Sequence, residues 1–289
     1  MIGSATTFYL SGLEYDVIEV NRQGISITGK NEMRKFDVRE NSVKHLLGSL
    51  PPNTVVINMT GVIRHKIDFK SEKSISIARQ VNSDFPKQLV HHAQELGMRV
   101  IQIATDCVYS GKAGSYYEDS KADSLDIYGE TKNAGEVTSS NLLTLRVSIV
   151  GREIKDHVEL MDWVTSQPLN AQVNGFKNHI WNGITSMHFA KILDGILKNR
   201  ITLSGTFHLI PSDIVNKLEL IKFIAEMSGR RDLTIIETMA DQPVDRSLGS
   251  NFNQINAEFW RCAGYPVIPS IRMMLEEYFA WIRPIDQGE

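Results

Sequence analysis

The sequence predicts an α/β protein built on a doubly wound parallel sheet. Apolar runs at residues 54–59, 99–104 and 142–150 are rich in β-branched residues, which is typical of strands buried on both faces. Helical patterns lie between these runs, and strands that alternate with helices form parallel βαβ units. A chain of 289 residues is also long enough to carry a smaller second lobe.

The other elements are predicted from helical spacing, turn residues and short apolar runs. Residues 2–13 have a helix-like pattern and precede a strand at 15–20, followed by a short strand at 26–28 or at 35–38. The helix before the second buried strand ends at Gly97, because glycine commonly terminates helices. The remaining predictions are helices at 41–50, 157–165, 187–197, 218–227 and 270–282, a helix from Tyr128, a strand at 207–209 and an irregular stretch at 168–184.

This order of elements predicts a division of the chain near residue 150. Residues 1–150 form the domain that contains the parallel sheet, and residues 151–289 form mainly a smaller lobe. Segments around 186–210 are expected to return to the sheet. Open α/β sheets bind ligands at the carboxyl ends of their strands, so the two parts together are expected to enclose a site.

The composition argues against several classes of protein. With 31 basic and 34 acidic residues, the net charge of −3 offers no footprint for nucleic acid or an anionic membrane. No run has the length of a membrane span and no signal-peptide pattern is present, so a cytoplasmic protein is the default expectation. The two cysteines, Cys107 and Cys262, lack metal-ligand spacing, and neither a disulfide framework nor a metal site is predicted.

Three polar side chains in the stretch 101–136 are candidates for catalysis. A strand that ends at Thr105 places a hydroxyl at the carboxyl edge of the sheet. Tyr128 and Lys132 are four positions apart and therefore share a helix face. An ammonium about 4 Å from a phenol favours the phenolate by roughly 4 kcal/mol before burial opposes it. We expect Tyr128 to exchange a proton with a carbonyl or alcohol oxygen near neutral pH.

The Tyr-x-x-x-Lys spacing alone leaves a structural role open. A second such pair, Tyr117 and Lys121, lies in a polar segment without an apolar face and is interpreted as a surface loop. Tyr128 instead begins a segment that leads into a buried strand. Cys107 has no histidine partner, so we interpret it as a small buried residue rather than a nucleophile.

Further motifs accompany these side chains along the chain: Val56-Ile57-Asn58, Val81-Asn82, Thr105-Asp106-Cys107-Val108-Tyr109, Tyr128-Gly129-x-x-Lys132, Leu145-Arg146 and Asp245-Arg246-Ser247-Leu248. Together they resemble the extended short-chain dehydrogenases, and specifically the dTDP-4-dehydrorhamnose reductase family. The resemblance covers nearly the whole chain in order and implies a Rossmann-like fold with a C-terminal substrate-binding lobe.

The resemblance implies a role for each candidate residue. Tyr128 would protonate the oxygen of a 4-keto sugar as a nicotinamide delivers hydride, and Thr105 would polarise that oxygen. Lys132 would tune Tyr128 and hold the nicotinamide ribose. Thr105 and Asp106 would border the substrate. Arg246 is the candidate for the nucleotide diphosphate, because a guanidinium suits phosphate oxygens.

The cofactor half of the site is expected to be less complete. The family's glycine fingerprint, G-x-x-G-x-x-G, follows the first strand, and only its last glycine, Gly3, is present here. The first strand of the sheet is therefore predicted to be absent, which would leave an internal gap. We expect the coding DNA just upstream to encode that strand and the other glycines.

Other residues of the cofactor half are assigned by position and resemblance. Arg22 follows the strand at 15–20, where a basic residue accommodates the extra phosphate of NADP(H), although Glu19 nearby leaves NAD(H) open. By resemblance alone, Asp37 faces the adenine. Thr60 and Gly61 lie where the backbone would approach the cofactor.

The expected function is NADP(H)-dependent reduction of a nucleotide-linked 4-keto-6-deoxysugar, in the supply of deoxysugars for polysaccharide. One alternative is an epimerase, or a reductase of a UDP- or GDP-linked sugar, with the same fold. Another is a regulatory protein that binds NADP or a nucleotide sugar without catalysis. The oligomeric state is left open, with a homodimer as one option.

Overall fold

The computed structural model describes residues 1–153 and 157–286. Its strands, numbered in chain order, are β1 Ile18–Asn21, β2 Glu32–Lys35, β3 Val55–Asn58, β4 Arg99–Thr105, β5 Leu142–Val147, β6 Ile149–Val150, β7 Gln172–Phe176, β8 His179–Trp181, β9 Ile184–Thr185, β10 Gly205–His208, β11 Val215–Asn216, β12 Thr234–Thr238 and β13 Val244–Asp245. Its helices are α1 Ile2–Ser11, α2 Val43–Gly48, α3 Glu72–Arg79, α4 Phe85–Glu95, α5 Ile127–Ala134, α6 Leu160–Thr165, α7 Ser186–Lys198, α8 Lys217–Met227, α9 Asn253–Cys262 and α10 Ile271–Asp286.

The main sheet is parallel and has the strand order β10-β5-β4-β3. Successive residues of β4 belong to the hydrophobic cores on opposite faces of the sheet. Val100 lies in the core that contains Leu47 of α2 and Leu89 of α4, whereas Ile101 lies in the core that contains residues of α7 and α10. Both faces of the sheet are therefore covered, which explains why its strands are continuous apolar runs. The predicted Rossmann-like parallel α/β fold is confirmed.

The strands β1 and β2 form a separate parallel pair. Within residues 1–153 and 157–286, no strand joins this pair to β3, so the parallel strands form two sheets. The short strand expected at 26–28 or 35–38 lies at Glu32–Lys35 instead. Residues 26–28 bind the buried carboxylate of Glu19, because Ser26 Oγ and the Ile27 amide each donate to it at 2.7 Å.

The second half of the chain contains more strands than its sequence predicted. The stretch 168–184, expected to be irregular, contains β7, β8 and β9. The predicted strand 142–150 is interrupted at Ser148, whose carbonyl accepts a hydrogen bond from the Ile184 amide at 2.9 Å. Because β9 then pairs with β6, the chain bends out of the main sheet toward the smaller lobe.

The second half of the chain forms two short sheets outside the main sheet. In one sheet β12 pairs with β7, and in the other β8 lies between β11 and β13. The chain enters the main sheet again at β10, which pairs with β5. The helix predicted at 157–165 begins only at Leu160. None of the helices in the described ranges has both the length and the apolar character that a membrane span requires.

Candidate active site

The hydroxyls of Thr105 and Tyr128 lie together at the carboxyl end of β4. Thr105 Oγ1 donates to Asp106 Oδ1 at 3.2 Å and accepts from the Cys107 amide at 3.2 Å. The Tyr128 phenol is hydrogen-bonded to Thr105. Residues from β4 and from the start of α5 therefore converge on one position, as the sequence predicted from the strand end and the helix spacing.

Gly129 allows α5 to approach the turn after β4. A Cβ at this position would lie 2.0 Å from Ser124 Oγ and 2.1 Å from the Cys107 carbonyl oxygen, so only glycine fits. The N-cap residue Asp126 accepts from the Gly129 amide at 3.0 Å and fixes the start of the helix. Close backbone packing thus brings Tyr128 to Thr105.

Lys132 lies one turn further along α5, below Tyr128. Its Nζ donates to the Ile103 carbonyl oxygen at 3.4 Å. A Cβ on Gly61 would lie 3.9 Å from the same Nζ, so the loop after β3 adjoins this ammonium. Burial lowers the pKa of Lys132. The structure therefore brings Lys132 and Gly61 together with the Thr105–Tyr128 pair.

The electrostatics of Tyr128 differ from the expectation based on its spacing to Lys132. Burial is the largest influence and raises the pKa of Tyr128, and the nearby Cys107 and Asp106 raise it further. The hydrogen bond between Tyr128 and Thr105 opposes this shift. The expected lowering of the Tyr128 pKa by Lys132 is wrong for the protein without ligand, because desolvation of the buried phenolate is the dominant influence. Tyr128 is therefore a protonated phenol at neutral pH.

A cavity of about 240 Å³ lies beside Asp106. Its lining includes Asp106, Ser148, Trp181, Lys217 and Arg246, and we call it the substrate cavity after the role that we propose for it. The Arg246 Nε donates to the Tyr109 carbonyl oxygen at 3.0 Å, and the guanidinium attracts the Asp106 carboxylate. Burial nevertheless raises the pKa of Asp106. Arg246 thus lies next to the catalytic candidates although it comes from the smaller lobe.

Cys107 is close to these groups but is poorly suited to act as a nucleophile. Burial and the neighbouring Asp106 raise the pKa of its thiol to about 12. The thiolate, which is the reactive form, is therefore scarce at neutral pH.

The structure adds residues that the sequence did not single out for chemistry. Asn82, in a π-helical turn between α3 and α4, is buried and clamps the loop after β3: its Oδ1 accepts from the Val62 amide at 2.8 Å and its Nδ2 donates to Thr131 Oγ1 at 3.1 Å. Trp181 Nε1 donates to Ser148 Oγ at 2.9 Å, and Ser148 is hydrogen-bonded to Asp106. Only Asn82 had a sequence signal, as part of the Val81-Asn82 motif.

The predicted cofactor residues occupy two regions. Gly3 lies in the first turn of α1. A Cβ added at Gly3 would lie 4.0 Å from Met59 Cβ, and Thr60 and Gly61 come directly after Met59. These three residues therefore lie on the side of the main sheet that carries Lys132.

Arg22 and Asp37 instead follow β1 and β2 in the separate pair of strands. Asp37 is bound by Arg39, with 2.6 Å between Nη2 and Oδ2, which lowers its carboxyl pKa to about 2. Glu19 is buried and its carboxylate accepts hydrogen bonds from Ser26, Ile27, Thr28 and Asn31, so its contacts are within the protein. The exposed Arg22 is available at the strand end, and this donor set fits the phosphate-bearing cofactor better than NAD.

A group of possible metal ligands lies elsewhere, on the exposed side of α4. His91 and His92 both lie near Glu95, at 3.5 Å and 2.9 Å from its carboxylate oxygens. Because α4 ends where β4 begins, the group lies at the opposite end of the sheet from Thr105.

Comparisons with known proteins identify the family. Residues 9–280 match the profile of the RmlD substrate binding domain. The chain is 21% identical over 271 residues to a dTDP-4-keto-6-deoxy-D-glucose reductase of Streptomyces niveus, covering 91% of this chain and 88% of that protein. It is 24% identical over 198 residues to methionine adenosyltransferase 2 subunit beta of Bos taurus, covering 64% and 58% of the two chains.

Solved structures share the fold at low sequence identity. The dTDP-4-dehydrorhamnose reductase of Bacillus anthracis, in complex with NADP, superposes with a TM-score of 0.70 at 16% identity, covering 91% of this chain and 98% of that one. A UDP-glucuronic acid 4-epimerase of Bacillus cereus, in complex with a UDP-sugar and NAD, gives 0.73 at 16% identity, covering 99% and 96%. The chain belongs to the RmlD substrate binding domain family and has the Rossmann-like fold of the extended short-chain dehydrogenases.

Proposed function

We propose that this protein is an NADP(H)-dependent reductase of a nucleotide-linked 4-keto-6-deoxysugar. The observation that carries the proposal is the hydrogen-bonded pair of Thr105 and Tyr128, with Lys132 below it and the substrate cavity beside it. The reductase from Streptomyces niveus, which is similar along most of its length, supports the same reaction class.

Thr105, Tyr128 and Lys132 would each have a separate role in the reduction of a carbonyl group. NADPH, when bound, supplies the hydride. Tyr128 holds the proton that the developing alkoxide needs, because its raised pKa keeps the phenol protonated at neutral pH. Thr105 would turn its hydroxyl from Asp106 to donate a second hydrogen bond to that oxygen, and Lys132 would hold the ribose next to Gly61. Binding of cofactor and substrate changes the burial and charge around Tyr128, and Lys132 then favours proton release.

The proposal assigns the substrate and cofactor to different parts of the chain. Residues 1–150 would bind NADP(H), with Arg22 beside its extra phosphate and Asp37 toward the adenine. Gly3, Thr60 and Gly61 would lie where the protein backbone approaches the cofactor. Residues 151–289 would contribute mainly to the substrate, with Arg246 at the diphosphate. The place of action would be the cytoplasm, in deoxysugar supply for polysaccharide.

The direct test is oxidation of NADPH by the full chain with a panel of dTDP-, UDP- and GDP-linked 4-keto sugars, with analysis of the products. We expect turnover with at least one of them. Tyr128→Phe should lower kcat by about 100-fold or more while nucleotide binding is retained. The matched control, Tyr117→Phe, changes the rival tyrosine and should leave kcat unchanged. Absence of turnover with the whole panel would refute the reductase, and an epimerised product would favour the epimerase.

A second candidate is a regulatory subunit that binds NADP or a nucleotide sugar without catalysis. It is favoured by the similarity to a protein named as the beta subunit of methionine adenosyltransferase 2. In this case ligand binding would be present, and Tyr128→Phe would change no measured activity of the chain.

A further inference from the structure

The small sheet around β8 brings two cationic side chains to one cavity. Asn216 of β11 and Asp245 of β13 both pair with Ile180, one on each side of β8. Lys217 and Arg246 are the next residues along the chain. Lys217 is the first residue of α8, and Arg246 follows the last residue of β13, so the two cations leave the sheet on either side of β8. Both line the substrate cavity.

The two cations differ in the hydrogen bonds and charged neighbours that the protein provides for them. Arg246 donates from Nε to the Tyr109 carbonyl oxygen and attracts the Asp106 carboxylate. For Lys217, the described parts of the chain contain no hydrogen bond or ion pair, and the acidic group that acts on it is the half-exposed Glu159, which lines the same cavity. Burial lowers the pKa of Lys217. An ammonium held in a cavity without a partner is unfavourable until an anion joins it.

The spacing of the cations suits an anion with two charged groups. Neighbouring strands lie about 4.8 Å apart, so the backbones on the two sides of β8 are separated by roughly 10 Å. Long Lys and Arg side chains that enter a common cavity from these positions reach adjacent phosphoryl groups rather than a single oxygen atom. A diphosphate therefore matches the pair better than a lone carboxylate does.

We propose that Lys217 binds the diphosphate of the nucleotide-linked substrate together with Arg246, with one cation on each side of β8. The inference deepens the proposed function and rests on it for the identity of the substrate. Lys217 would then be a determinant of substrate binding and would make no contact with the cofactor.

The test uses calorimetric titration of the full chain with dTDP, UDP, GDP and NADP⁺. Lys217→Gln should weaken binding of the preferred nucleoside diphosphate by about 10- to 100-fold, the loss of a charge-assisted hydrogen bond. NADP⁺ affinity should not change. Lys217→Arg should retain most of the diphosphate affinity. The matched control is Lys222→Gln, which removes the same charge from an exposed position of α8 and should have no effect.

The affinities of the variants decide whether Lys217 binds the diphosphate. Equal diphosphate affinities of Lys217→Gln and Lys222→Gln would overturn it, as would a parallel loss of NADP⁺ affinity or failure of the wild-type chain to bind any nucleoside diphosphate. Thermal unfolding shows whether Lys217→Gln is folded, and Lys217→Met, which keeps the apolar stem, replaces it if it is not. If the wild-type chain reduces no 4-keto sugar but Lys217→Gln loses diphosphate affinity, the reductase proposal fails and the assignment of Lys217 stands.

Discussion

Glu136, just after α5, and Arg146 of β5 form a buried ion pair with 2.5 Å between Oε2 and Nη2. The Arg146 Nη1 also donates to the Tyr109 hydroxyl at 2.6 Å and to His208 Nε2 at 2.9 Å. His208 in turn donates from Nδ1 to the Gly249 carbonyl oxygen at 2.7 Å. This network connects the end of α5 with β5, β10 and the loop that follows Arg246. It thereby fixes the elements that carry Tyr128 and Arg246 relative to one another.

Removing one partner of this pair should strongly destabilise the protein. Glu136→Gln leaves the Arg146 guanidinium buried without a countercharge, and we expect the free energy of unfolding to fall by about 3–5 kcal/mol. Urea denaturation of the wild-type protein and of Glu136→Gln measures the difference in the free energy of unfolding. As a control, Arg272→Gln breaks exposed ion pairs with Glu226 and Glu276 and should lower the free energy of unfolding far less. Similar losses for the two variants would contradict this account of the buried network.

A side chain at Gly129 should damage both stability and catalysis. In Gly129→Ala the new Cβ must displace Ser124 or the Cys107 carbonyl, which should cost about 1–3 kcal/mol and move Tyr128 away from Thr105. Thermal unfolding and kcat for the preferred substrate measure the two effects. The control is Gly48→Ala at the end of α2, where no atom lies near the new Cβ. A fully active Gly129→Ala variant would show that the close approach of α5 is not required.

The buried His208 should make stability fall in mild acid. Burial lowers the pKa of His208 from 6.5 to about 4 in the folded protein. Between these two values the unfolded chain binds the proton and the folded chain does not, so the stabilisation is present above about pH 6.5 and is lost as the pH falls toward 4. His208→Gln should flatten this part of the curve of unfolding free energy against pH. His45→Gln, at an exposed position, should leave the slope unchanged; equal slopes for all three proteins would refute the assignment.

Arg22 should determine the preference between the two nicotinamide cofactors. Arg22→Gln removes the cation proposed for the extra phosphate of NADPH, so kcat/KM for NADPH should fall by about 10-fold or more. The value for NADH should stay the same, because NADH lacks that phosphate. Lys30→Gln, an exposed change in the same loop, is the control. Equal losses with NADPH and NADH would place Arg22 outside the phosphate site.

The elements that the sequence predicted well are those whose own residues carry the signal. The apolar runs of β3, β4 and β5 and the one-sided apolar pattern of α4 reflect burial on both faces or on one face. The strands β7, β8, β12 and β13 were not predicted, because they are short and pair between distant parts of the chain. Helix α9 was missed as well, since only Asn256, Phe259 and Trp260 of its residues are buried.

The sequence by itself determined the parallel α/β fold and the motif that contains Thr105, Tyr128 and Lys132. The tertiary structure decided which groups surround these residues. Lys217 and Arg246 meet only because β11 and β13 flank β8, and such pairing across the chain has no local pattern. The tertiary structure also decided the protonation of Tyr128, because desolvation depends on everything that packs around the phenol and not on its spacing from Lys132.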